Sequence, residues 1–215
     1  MVRIMICSLV IFFAGVFSVS PSFASKDNIQ VTISTEIAPV FQNGELTGCA
    51  LNFQAGKNDY TYFEGDLALI NGSLNLYTLR GKPPFFALKL GIMRDGEQSY
   101  VAPSTAYILS DYKTNKTDFL TAVDAETPGF RLFTFSAGEA SINVMRETTS
   151  QDKTIRIGYT MNGGSMGSII PISLTMKNLN FENPSESIFD EGAIQKWWEC
   201  NLKSLDAAIK RIDAE

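Results

Sequence analysis

Histidine is missing from all 215 residues. With it go Ser-His-Asp and Cys-His catalysis, His-ligated zinc and haem, and the side chain that titrates nearest neutral pH. Cysteine is scarce at three residues, with no C-x-x-C pair to suggest a redox thiol. Basic clusters longer than two residues are also absent, and 18 basic side chains face 23 acidic ones. Such a chain does not grip nucleic acid through its phosphates or settle on an anionic membrane. Asp, Glu, Lys and Tyr remain as the only side chains for acid/base work, and no cofactor or metal motif accompanies them.

The first 24 residues read as a secretory leader. Arg3 precedes an apolar run from Ile4 to Val19, followed by Pro21 and by Ser22-Phe23-Ala24, which predicts cleavage after Ala24. A membrane anchor needs about 20 apolar residues and a charged stop, and this run is shorter and ends in Ser and Pro. Cys7 lies before most of the run, where a lipobox cysteine would follow it. Loss of Arg3 takes the net charge from −5 to −6. Residues 25–215 suit one globular domain, with 25–180 as its β part, 181–215 as a helical segment, and no transmembrane segment after cleavage.

Cys49 and Cys200 survive processing, and an exported chain enters an oxidising compartment, so a disulfide between them is expected. In the chain-entropy model a loop of this length is worth at most about 5 kcal/mol.

Period-2 alternation runs through the chain. Ile29, Val31 and Ile33 alternate with Gln30, Thr32 and Ser34, and Cys49, Leu51 and Phe53 repeat the pattern, which places Cys49 on an inward face. Asn71-Gly72 predicts a two-residue type I′ hairpin that pairs Ile70 with Ser73 and sets Leu69 against Leu74. Further strands are expected over 85–93, 106–110, 130–136, 140–146, 154–160 and 168–176, with Ala137-Gly138-Glu139 joining two of them as a hairpin. The fold class is therefore mainly β, an antiparallel β-sandwich or jelly-roll-like fold of about ten strands. A membrane barrel fits less well, because several strands are too short and the chain ends in a helix.

That C-terminal amphipathic helix carries Ile194, Trp198, Leu202, Leu205, Ile209 and Ile212 in a stripe about 80° wide. Asn183-Pro184-Ser185-Glu186 has the residues of a helix start. On this wheel Trp198 is core and Cys200 falls about 200° from the stripe. Trp197 then either covers the Cys200 region or is an exposed contact residue. A disulfide requires the helix to rotate or end at Cys200, or chain near Cys49 to reach around it.

Candidate chemistry is sparse. Glu64 and Asp66, about 6.6 Å apart in an extended strand, form the only carboxylate pair suited to glycoside hydrolysis. Asp111, Asn115 and Asp118 offer oxygen ligands in a polar loop, but their spacing fits no calcium motif, so hydration is the default and no metal site is assigned. The Gly-rich stretch Asn162–Ser168 lacks the ending of a phosphate-binding loop and reads as a strand connection. Tyrosines stand out more. Tyr60, Tyr62, Tyr77, Tyr100 and Tyr112, with Asp111 and Trp197, are candidates for a sugar-binding face, where flat rings cover apolar sugar faces and polar groups take hydroxyls.

These readings favour an exported protein, periplasmic or extracellular, acting as a non-enzymatic binding or interaction domain for a glycan or an envelope protein. The alternatives are a carboxylate-dependent glycan hydrolase on a sandwich fold and a structural envelope protein without ligand.

Overall fold

The structure, a computed structural model, describes residues 29–111, 113–164 and 166–212. The expected leader and Tyr112 lie outside the described residues. In chain order the elements are β1 (Gln30–Gln42), β2 (Glu45–Asn58), β3 (Leu67–Tyr77), β4 (Phe85–Arg94), β5 (Thr105–Leu109), β6 (Phe119–Asp124), β7 (Arg131–Ser136), α1 (Glu139–Glu147), β8 (Thr154–Thr160), β9 (Ser168–Ser173), β10 (Met176–Asn178), β11 (Ile188–Phe189) and α2 (Ala193–Ile212). A six-stranded antiparallel sheet runs in the order β1-β2-β3-β4-β7-β6, and a three-stranded one in the order β5-β8-β9. The chain is mainly β, with antiparallel sheets and a C-terminal helix packed on them.

The two sheets meet through alternating residues. Leu51, Phe53, Leu74 and Leu88 of the large sheet enclose the core with Ile108, Ile155, Ile157 and Ile172 of the small one, each at most 3% exposed. Burying each such side chain contributes about 1.5–3 kcal/mol. Among the described residues no helix is long and apolar enough to cross a membrane.

Asn71-Gly72 makes no hairpin. It lies inside β3, between Gln54-Phe53 of β2 and Gly91-Leu90 of β4. Ala68, Ile70, Gly72, Leu74 and Leu76 are all buried, so the alternation passes straight through the dipeptide. Gly72 serves close packing: a Cβ there would sit 2.6 Å from the Phe53 ring and 2.4 Å from the Lys89 carbonyl oxygen. The type I′ chemistry occurs at Asn43-Gly44, with φ of 52° and 81°, which pairs Gln42 with Glu45.

Residues 140–146 are helical, where the hydrophobic pattern predicts a strand. Ser141, Val144, Met145 and Thr148 are the buried positions, at helical spacings of 3, 4 and 7. Gly138 offers no side-chain cap, and the Asp118 carboxylate accepts from the Ser141 amide instead (2.6 Å), so a distant acid starts the helix. The expected strand 168–176 is split into β9 and β10. In β1 a register shift between Thr32 and Ser34 turns Thr32 and Thr35 into the core, leaving Val31 and Ile33 half-buried. Asn183–Glu186 begins only a single 3-10 turn, and α2 starts after Gly192.

Helix α2 is rotated relative to its apolar stripe. Ala193, Trp197, Asn201 and Ser204 face inward, while Leu202 is 60% and Ile209 51% exposed. The Cys49–Cys200 disulfide, with Cα atoms 6.0 Å apart, and three polar contacts set this orientation. Pro39, opposite Cys49 on β1, has no N–H to give, and Trp197 Nε1 donates to the Cys49 carbonyl instead (2.9 Å). Asn201 Oδ1 accepts from the Cys49 amide (3.2 Å), and the Ser204 and Thr78 hydroxyls bond to each other (2.5 Å). Trp197 therefore covers the disulfide region.

Candidate ligand-binding face

The small sheet and α2 pack on one face of the six-stranded sheet. Its other face is polar and carries residues of several strands in cross-strand rows. One row runs Ala38, Ala50, Asn75, Ala87, Thr134, and the next Glu36, Asn52, Ser73, Lys89, Leu132. A third adds Ser34, Gln54, Asn71 and Gly91. Alternation explains the composition: these residues are the out-pointing partners of Leu51, Phe53, Leu74 and Leu88. Ala50, Asn75 and Ala87 are buried and form the floor of the first row, while Glu36 and Gln54 are exposed and Asn52, Ser73 and Lys89 half-buried beside it.

Aromatic pairs stand at both ends. Tyr77 and Phe85, adjacent across β3 and β4, stack with ring centroids 5.3 Å apart. At the far end the Phe130 ring lies over Gly91, so close that a Cβ would meet it at 2.8 Å. Tyr100 packs on Phe130 at 4.9 Å, and Lys89 Nζ lies 5.1 Å from the Phe130 centroid while donating to Thr127. From Phe85 to Gly91 along β4 the face spans about 20 Å. Burial raises the Tyr77 pKa, which keeps its phenol neutral.

Asn75 is the unusual residue on this face. Only 5% exposed, it points its Nδ2 at Ser73 Oγ at a long 3.4 Å, and its Oδ1 accepts no hydrogen bond. A buried amide oxygen without a donor carries a desolvation cost of about 1–3 kcal/mol. It sits in the row between the Tyr77–Phe85 stack and Lys89.

The other expected residues are dispersed. Tyr60 is exposed in the turn after β2, with its ring over Gly65. Tyr62 packs against Tyr159 and donates to the Met166 carbonyl, joining the Gly-rich connection. Asp111 is paired with Arg156 (3.0 Å), and Trp197 is buried beneath α2, out of reach of a ligand. Glu64 is exposed with a left-handed φ of 55°, and Asp66 is held by Arg94 Nε at 2.9 Å, so the two do not form the extended pair that the spacing suggested. Asn115 accepts from the Ile108 amide and Asp118 caps α1, which assigns the oxygen-rich loop to protein partners. Among the described residues no group of three or more Cys, Asp or Glu is placed to hold a metal.

Sequence reasoning missed Asp59. Fully buried just after β2, it accepts from the Tyr159 hydroxyl (2.6 Å) and from the amides of Thr61 (2.7 Å) and Tyr62 (3.0 Å). Burial alone raises its pKa, but those bonds and one from Ser168 outweigh it and hold the carboxyl below its usual value. Lys57 donates to Ser168 Oγ (2.8 Å) and to the Ile169 carbonyl (2.9 Å), its pKa lowered by burial against the opposing pull of Asp59. Burial and the bond to Asp59 push the Tyr159 phenol well up. This network ties three separate segments together, with the Ser168 hydroxyl enclosed. No family model matches the chain, and no curated protein or solved structure does.

Proposed function

We propose that the protein is an exported, non-catalytic binding domain that holds an uncharged, hydroxyl-rich chain, a glycan, along the polar face of its six-stranded sheet. The observation that carries this reading is Asn75: a buried amide oxygen without a donor, set between two aromatic pairs about 20 Å apart. Asn75 Oδ1 is enclosed, so a sugar hydroxyl supplies the missing donor only when the Ser73 side chain, held to Asn75 at a long 3.4 Å, turns aside; flat rings at either end cover apolar sugar faces. Glu36 and Lys89 balance each other on the rows, which suits a neutral ligand. The leader pattern and the Cys49–Cys200 disulfide support an oxidising compartment outside the cytosol.

The test is a glycan array followed by calorimetric titration of the best ligand. Asn75→Ala is expected to weaken binding about tenfold without lowering the melting temperature, because it removes an unsatisfied polar atom along with the contact. Full binding by this variant, or loss of stability without loss of binding, would give Asn75 a purely structural role and sink the reading.

A further inference from the structure

The two edges of the six-stranded sheet are treated differently. β1 is covered: the Leu179 amide donates to the Ile33 carbonyl (2.8 Å), the Thr35 hydroxyl to the Met176 carbonyl (2.6 Å), and the Ser173 amide to Thr32 Oγ1 (2.7 Å). Register shifts and Pro39 interrupt it further. At the other edge β6 pairs only with β7 among the described residues. It exposes Phe119 (48%), Leu120 (58%) and Val123 (49%), with Leu120 left without a partner by a register shift. An open apolar edge is a template for strand addition, which soluble proteins ordinarily blunt with charge, proline, a bulge or a covering segment; β6 has the register shift at Leu120 and a terminal Asp124, but no covering segment among the described residues. Neither lysine nor proline lies within Phe119–Asp124.

Charge indicates which strand fits. Lys116, whose ammonium lies 3.7 Å from the Tyr107 ring centroid and keeps its charge there, precedes β6, and Glu126 follows it. The other ionised groups nearby are engaged, Lys113 with Glu147, Asp118 with the start of α1 and Asp124 with Arg131. A second copy laid antiparallel sets the basic end of each strand beside the acidic end of the other, twice by symmetry. A parallel copy would bring like ends together.

We infer that the protein forms a two-fold dimer by antiparallel pairing of β6 with β6 of a second copy, joining two six-stranded sheets into one of twelve. An antiparallel edge contact places the two-fold axis perpendicular to the sheet, so the two polar faces lie on the same side of the assembly.

Sedimentation velocity on the purified protein over a concentration series tests this. The wild-type chain is expected to sediment as a reversible dimer. Replacing both exposed apolar residues, Leu120→Lys with Val123→Lys, is expected to give a monomer with an unchanged melting temperature. Lys116→Glu and Glu126→Lys, each alone, are expected to weaken association about tenfold, and the double variant to restore it. Amide hydrogen exchange checks the locus should the apolar variant fail to fold, since wild-type β6 amides should gain protection as concentration rises. A wild-type monomer at every concentration overturns the inference. A dimer indifferent to these four residues, or concentration-dependent protection on α2 instead of β6, overturns it as well.

Discussion

Asp59 shows how much one residue's environment decides. Its carboxylate is charged, fully buried and held by one hydroxyl and two backbone amides at 3.0 Å or less. The folded pKa lies below the unfolded value of about 3.9, so its contribution to stability is complete above that value and is lost as pH falls toward the folded pKa. Denaturant titrations of Asp59→Asn should therefore run below wild type by about 3 kcal/mol at pH 7 and converge with it under acid. Parallel curves would assign the acid sensitivity to other groups. In the sequence Asp59 was one acid among 23. Lys57 and Ser168, which complete its surroundings, are 111 positions apart, and no local pattern links them. Asn75 was equally hidden, because its burial depends on the strands that register sets on either side of it, with Ala50 and Ala87 opposite.

At the scale of elements, periodicity located most strands and the C-terminal helix, but it did not fix which way each faces. The stripe of Ile194, Trp198, Leu202, Leu205 and Ile209 is a correct description of α2 as a helix. What buries its other side is specific: Trp197, Asn201 and Ser204 satisfy backbone and hydroxyl groups at Cys49 and Thr78, and the disulfide holds them there. Trp197→Ala should cost about 3–5 kcal/mol in urea denaturation, whereas Leu202→Lys should change stability by about 0.5 kcal/mol or less. The opposite ranking would restore the stripe as the packed face. Residues 140–146 and Asn71-Gly72 show the same limit. Both stretches satisfy two local patterns, and the choice falls to partners far away in sequence, Asp118 for the helix and the Phe53 ring for the glycine.

At the scale of the molecule, the disulfide joins β2 to α2 across 151 positions and closes the end of the core where β1 offers Pro39 in place of a donor. Mass spectrometry of the unreduced protein should show no free thiol at Cys49 or Cys200, and Cys49→Ala with Cys200→Ala should lower stability by about 2–5 kcal/mol. Two free thiols in the folded protein would contradict it. The sandwich class was legible because each inward stripe is visible by itself. The order of strands was not, and with it the polar rows, since a row exists only once register sets Glu36, Asn52, Ser73 and Lys89 side by side.

The absence of histidine and the closing of both described cysteines into a disulfide leave a sheet face built of amides, hydroxyls and stacked rings as the molecule's most distinctive surface. Mapping amide chemical-shift changes on that surface while titrating the best array-selected oligosaccharide tests its role most directly. Shifts concentrated at Asn52, Ser73, Asn75 and Lys89 and bounded by Tyr77 and Tyr100 are expected. Shifts confined to the Gly-rich connection, to α2 or to the β6 edge would contradict it.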